Sequence, residues 1–210
     1  MYIPLSKMAL IAIDLQYGFC NAGGSVAHMG RDITTMRSAG ERTIDLANVA
    51  RKAGMPIIWT QITWRTDYQD GGLMTGVLRP ALKANNALQR DGQDAALMPE
   101  IEVYPADFVV DKPRHSAFYA SSLEAILRSH RIEGLLVCGV TTSMCVETTV
   151  RDACQRDIAA FVVEECVADF ATKRHEASLE VMAVGFANVI SHRQAETGIG
   201  AGGLDFHAGN

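Results

Sequence analysis

Apolar runs of strand length alternate along the chain with segments of helical period. Met8-Ala-Leu-Ile-Ala-Ile13 is the first run, and from about Met36 to Ala53 the positions Ile44, Ala47 and Ala50 share one side of a predicted helix that Gly54 stops. Pro56 to Ile62, Phe108 to Val110, Gly134 to Val140, Ala159 to Val163 and Ala187 to Ile190 read as five further strands. Helices are predicted near Leu78 to Leu88, Ser121 to His130, Met144 to Arg156 and Thr172 to Gly185, with Ser121 and Glu124 at capping-box spacing. The strands are continuously apolar rather than alternating, so both faces should be covered. That pattern predicts the α/β class, a parallel sheet between two layers of helices.

No internal repeat or linker divides residues 1–196, which are expected to form one domain. From Thr197 to Asn210 the chain is glycine-rich, and Gly198-Ile-Gly-Ala-Gly-Gly203 matches the spacing G-x-G-x-x-G. It does not link a strand to a helix and has no acid about 20 residues on, so a nucleotide loop is rejected in favour of a mobile or surface-wrapping tail. The irregular stretch from Thr63 to Glu102 is long enough to expect a functional loop or structure of its own.

Composition narrows the possible partners. The 210 residues hold 48% hydrophobic and 20% charged side chains, enough for an ordinary globular core. With 19 Lys and Arg against 24 Asp and Glu, net charge −5 and no basic cluster, neither nucleic acid nor an anionic membrane is an expected partner. No apolar stretch approaches the roughly 20 residues of a membrane span, and the N-terminus lacks a signal-peptide pattern. The five cysteines are odd in number and form no C-x-x-C pair. They point to free thiols in a reducing, cytoplasmic setting.

In an open parallel sheet, ligands bind beyond the carboxyl ends of the strands. Asp14 follows the first strand, Lys112 the third, and Gly139-Val-Thr-Thr-Ser-Met-Cys145 the fourth, bringing an acid, a base and a thiol to one edge. A thiol near a helix N-terminus and an ammonium is expected to have a lowered pKa. Cys145 is then a candidate nucleophile, with Asp14 taking its proton and Lys112 holding Asp14. Packing and turn-capping roles explain the same residue types taken singly.

Three segments taken together resemble the isochorismatase-like cysteine hydrolases: Ala12-Ile-Asp14-Leu-Gln16 with Phe19, Lys112 followed by Ser116-Ala-Phe118, and Gly139 through Cys145 to Asp152. The resemblance implies a six-stranded parallel sheet of order 3-2-1-4-5-6, a triad of Asp14, Lys112 and Cys145, and a cis bond between Val140 and Thr141. It also implies an oxyanion hole from the amides of Thr141 and Cys145, and a homodimer or homotetramer. The thiol favours the branch that cleaves C–N bonds of small amide or ureido compounds through a thioester. Vinyl-ether hydrolysis and a non-catalytic, redox-sensing thiol remain as alternatives.

Nicotinamidases of this group carry metal-binding histidines after the second strand, whereas no histidine lies between His28 and His115 here. Neither a metal nor another cofactor is therefore expected. Family position puts Phe19, Trp64 and Tyr119 near the substrate, with Arg65 able to pair with a carboxylate. For Arg65 and Tyr68, solvent exposure or a subunit contact is an equal expectation. His115 is close enough to Lys112 in sequence to reach the pocket, although packing or solvent exposure is the favoured expectation, and Glu147 with Arg151 is expected to form an ion pair supporting the nucleophile turn.

Overall fold

The computed structural model describes residues 1–207. Its centre is a sheet of six parallel strands: β2 (Met8–Ile13), β3 (Ile57–Ile62), β4 (Phe108–Lys112), β5 (Gly134–Val140), β6 (Ala159–Ala168) and β7 (Asn188–Ile190). A separate antiparallel pair joins β1 (Tyr2–Pro4) to β8 (Gly203–Asp205). The sheet order is β4-β3-β2-β5-β6-β7, which is the expected 3-2-1-4-5-6 when its own strands are counted. The chain reverses direction across the sheet between β2 and β5, so a crevice opens at their carboxyl ends.

The helices are α1 (Tyr17–Cys20), α2 (Ser25–His28), α3 (Thr34–Lys52), α4 (Pro80–Ala84), α5 (Leu123–Ser129), α6 (Glu147–Cys154), α7 (Thr172–Gly185) and α8 (His192–Gly200). Continuous apolarity in β2 has a direct cause, because alternate residues enter different cores. Met8, Leu10 and Ala12 pack with Met36, Leu46 and Ala50 of α3 and Ile199 of α8. Ala9, Ile11 and Ile13 pack with Leu123 and Leu127 of α5, Val150 of α6 and Met182 of α7. Burial of each Leu or Ile side chain contributes about 1.5–3 kcal/mol, and a polar residue on either face would forfeit that and lose a hydrogen-bonding partner.

Several boundaries differ from the sequence pattern. β6 was predicted to stop at Val163, before the exposed Glu164 and Glu165, yet it continues to Ala168. A register shift between Val137 and Gly139 lets the end of β5 pair with Val167 and Ala168 beyond the two acids. The helix predicted near Leu78 to Leu88 is reduced to α4, followed by Asn86 and Leu88 at φ +50° and +55°. Ser121 and Glu124 do not form a capping box: Ser121 Oγ accepts from Leu123 N at 3.1 Å, while Glu124 pairs with Arg128. The capping box that does form is Ser191 with Gln194 at the start of α8.

The glycine-rich segment is ordered through its central part. Thr197 to Gly200 complete α8, and the chain then turns so that β8 pairs with β1; only residues 208–210 of the expected tail lie outside the described region. Among the described residues, no helix is long and apolar enough to cross a membrane.

Candidate active site

The carboxyl ends of β2, β4 and β5 converge on one buried cluster. Asp14 follows β2 in the left-handed region at φ +52°, a conformation that Asp tolerates better than most residues. Its Oδ2 meets Lys112 Nζ at 2.7 Å, and neither side chain is exposed. Thr60, on the intervening strand β3, donates from Oγ1 to Asp14 Oδ1 at 2.7 Å. Lys112 Nζ also donates to the carbonyls of Arg114 and His115, each at 3.0 Å. All three ammonium hydrogens thus have acceptors, which offsets the cost of burying the charge. Burial would lower the lysine pKa, but the charge of Asp14 and the thiol of Cys145 outweigh it, and the net direction is upward.

At the end of β5, Gly139 lies beside Ile13 of β2 with φ +114°. A Cβ there would fall 2.1 Å from the Ile13 carbonyl oxygen, so only glycine allows the two strand ends to approach. The Val140–Thr141 peptide is cis. A single π-helical turn, Thr142–Val146, then carries Cys145 into α6. π-turns of this kind occur often at functional sites.

Polar contacts fix the turn from three directions. Asp169, just beyond β6, accepts from Ser143 N at 3.0 Å and is held by Arg174 Nε at 3.1 Å. Thr149 donates to the Cys145 carbonyl at 2.7 Å and accepts from Ala117 N at 3.0 Å. Ser116 donates to Asp152 on α6, which together with the Thr149 contact ties the Ser116-Ala-Phe118 segment to α6. Glu147 pairs with Arg151 at 2.7 Å, as the four-residue spacing suggested.

Cys145 forms the wall of a cavity of about 580 Å³ that also includes Phe19, Trp64, His115, Thr141 and Met144. A larger groove of about 820 Å³ lies beside β7, α8 and β8, but no cysteine lines it. Of the three candidate residues, Asp14 and Lys112 line neither, while Cys145 lines the smaller cavity. There, burial pushes the Cys145 pKa up, with Asp14 adding to the rise and Lys112 opposing it. This corrects the expectation of a lowered thiol pKa: loss of water outweighs the ammonium and the helix terminus. The resting group is a thiol and needs a base.

Comparison with known proteins identifies the arrangement. Residues 8–194 match the isochorismatase domain. The chain belongs to the isochorismatase family. Over 175 residues it is 30% identical to a ureidoacrylate amidohydrolase from Azorhizobium caulinodans, covering 78% of this chain and 77% of that protein. It is 33% identical over 171 residues to another from Cronobacter turicensis, covering 76% and 73%. A cysteine hydrolase structure from Pseudomonas syringae superposes with TM-score 0.87 at 24% identity, covering 95% of each chain. An N-carbamoylsarcosine amidase from Thermoplasma acidophilum gives 0.69 at 20% identity, covering 89% and 96%. The two curated relatives put the chain in the amidohydrolase branch of the family.

Not every expected pocket residue of this isochorismatase-family site reaches the cavity. Phe19 and Trp64 line it, Trp64 being buried with its Nε1 donating to the Pro113 carbonyl at 3.1 Å. Arg65 does not: it extends into solvent and is engaged by Asp67 through Nε at 3.0 Å and Nη2 at 2.8 Å. Tyr119 is 57% exposed and also lies outside the cavity lining, while Tyr68 is buried and donates to the Ala87 carbonyl at 2.7 Å.

The cations that do line the cavity are Arg31, Arg79 and Arg174, and no Asp or Glu lines it with them. His115 also lines it, correcting the expectation that it serves packing or faces solvent. Its position three residues beyond Lys112 was a usable signal, because the Pro113-Arg114 turn folds back over the ammonium. The three arginines gave no such signal, since they come from separate segments that only the fold assembles.

Proposed function

We propose that the protein hydrolyses a C–N bond of a small ureido or amide compound through a thioester on Cys145. The observation that carries this reading is the placement of the Cys145 thiol on the cavity wall, under the influence of the buried Asp14–Lys112 pair. Asp14 takes the thiol proton as Sγ attacks the carbonyl carbon. The N–H groups of Thr141 and Cys145 receive the oxyanion of the tetrahedral intermediate. Asp14 then returns its proton to the leaving nitrogen, and ammonia or an amine departs.

Water loses a proton to Asp14 and attacks the thioester. Collapse of that second intermediate releases the acid, and the thiolate recovers its proton from Asp14. Lys112 remains charged throughout, and its fixed hydrogen bonds keep the carboxylate aimed at the sulfur. The relatives' name, ureidoacrylate amidohydrolase, describes a substrate that combines a ureido group with a carboxylate. Arg31 and Arg79, without an ion pair among the described residues and with no acid beside them in the cavity lining, suit an anionic substrate of that kind.

The test is ammonia release from a panel of ureido acids, carbamoyl amino acids and simple carboxamides. Cys145→Ala should abolish release while the circular-dichroism spectrum stays native, and wild-type enzyme quenched during turnover should carry a substrate-derived mass on Cys145. Full turnover by Cys145→Ala would overturn the reading.

A further inference from the structure

The ammonium of Lys112 acts on Cys145 through its charge and through a hydrogen bond that competes with its bonds to Asp14 Oδ2 at 2.7 Å and to the Arg114 and His115 carbonyls at 3.0 Å. A thiolate formed at Cys145 gains from a second donor that is not already shared among three other acceptors. The side chain placed to supply it is His115, whose Nδ1 lies 3.5 Å from Sγ, within reach of a sulfur hydrogen bond. The Lys112 bond to its carbonyl anchors the residue, and its ring lines the cavity beside the nucleophile.

We propose that His115, as the neutral Nδ1–H tautomer, donates to Sγ whenever the Cys145 thiolate forms, making it a further catalytic residue of this site. The inference rests on the reading of Cys145 as nucleophile. In the first half-reaction the S–H bond breaks and its proton passes to Asp14, while Nδ1–H turns its bond toward the sulfur anion. When the S–C bond forms, sulfur loses its charge and the bond relaxes. His115 transfers no proton, so it must stay neutral and keep one N–H.

The surroundings favour that state. Burial first, then the charges of Lys112, Arg79 and Arg114, push the His115 pKa below its ordinary 6.5, with Asp14 opposing them. Together with Cys145 these are the titratable and charged groups that bear on the imidazole. An imidazolium would donate more strongly, but it would add a cation beside a buried ammonium.

The test is the rate of Cys145 alkylation by iodoacetamide between pH 6 and 11, read by mass on the Cys145 peptide in the full-length chain. His115→Ala removes the donor. His115→Asn restores one, because its amide nitrogen falls near the Nδ1 position. His115→Ala should slow alkylation about ten- to a hundredfold at pH 7.5, the range for losing a hydrogen bond to a charged group, and shift the profile to higher pH. His115→Asn should recover most of the rate. An alanine profile that superposes on wild type, or an asparagine variant as slow as alanine, would overturn the proposal.

A histidine that only contacted substrate would raise KM and leave alkylation unchanged, which also counts against it. Because alkylation reads the thiol without turnover, its result is separable from that of Cys145→Ala. An inactive Cys145→Ala with unchanged alkylation in His115→Ala sinks the donor role alone. An active Cys145→Ala removes the nucleophile reading and with it the catalytic meaning of the contact.

Discussion

Asp14 and Lys112 meet at 2.7 Å as a fully buried ion pair although β3 lies between their strands in the sheet. Lys112 lies opposite Ile62 of β3, and Thr60 on the same strand holds the other carboxylate oxygen. Such a pair contributes little net stability when intact, but removing one partner leaves an uncompensated buried charge and costs about 3–5 kcal/mol. Lys112→Met should lower the unfolding free energy from urea titration by an amount in that range and abolish turnover. Adding Asp14→Asn should recover part of the lost stability and none of the activity. Equal destabilisation in the single and double variants would show that the carboxylate is not what Lys112 compensates.

Gly139→Ala should be among the most damaging substitutions in the chain despite adding one methyl group. The new Cβ would meet the Ile13 carbonyl oxygen at 2.1 Å, in a backbone conformation of φ +114° that alanine rarely adopts. A loss of about 3 kcal/mol or more is expected, at the upper end for single substitutions. Thermal unfolding measures it. Any folded fraction should also lose activity, because the clash displaces the end of β2 from which Asp14 emerges.

The sheet was legible in the sequence because doubly buried parallel strands have to be continuously apolar, as β2 and β5 are throughout. Strand ends were less so. Glu164 and Glu165 look like a stop, and only the register shift opposite Gly139 explains why β6 runs past them. At the site, Asp14 and Lys112 could be named because one directly follows a strand and the other ends one, and Cys145 because it lies in the turn that leads from a strand into a helix. The distal pocket could not be read that way. Arg65 and Arg79 belong to the same irregular segment, yet one is held by Asp67 two residues on while the fold carries the other to the cavity. The thiol's pKa direction was misjudged because sequence reveals the neighbouring charges but not the depth of burial that outweighs them.

Arg79 and Arg31 form no ion pair among the described residues, so each is free to meet an anion entering the cavity. For a ureido acid, Arg79→Gln should raise KM about ten- to a hundredfold, the range for a lost charge-assisted hydrogen bond, with kcat nearly unchanged. A neutral amide of the same length should show no such change. Steady-state kinetics with the matched pair of substrates makes the comparison, and equal effects on both would assign Arg79 a structural role instead.

Alkaline pH should destabilise the fold through its buried thiols. Burial pushes Cys20 up to about 12 from an ordinary 9.0, and raises Cys138 and Cys145 as well. Above pH 9 the unfolded chain releases these protons while the folded chain retains them. Fewer protons are then bound in the unfolded state, so stability falls as pH rises. Each thiol contributes at most about 1.4 kcal/mol per pH unit within its window. Urea midpoints measured from pH 8 to 10 should therefore decline, with Tyr68, which burial pushes up to about 12 from an ordinary 10.0, adding to the fall near pH 10. Cys20→Ala should flatten that decline by one thiol's share, whatever its effect on stability at pH 8. A midpoint independent of pH across this range would mean that the thiols ionise as readily folded as unfolded, contrary to the burial that holds them protonated.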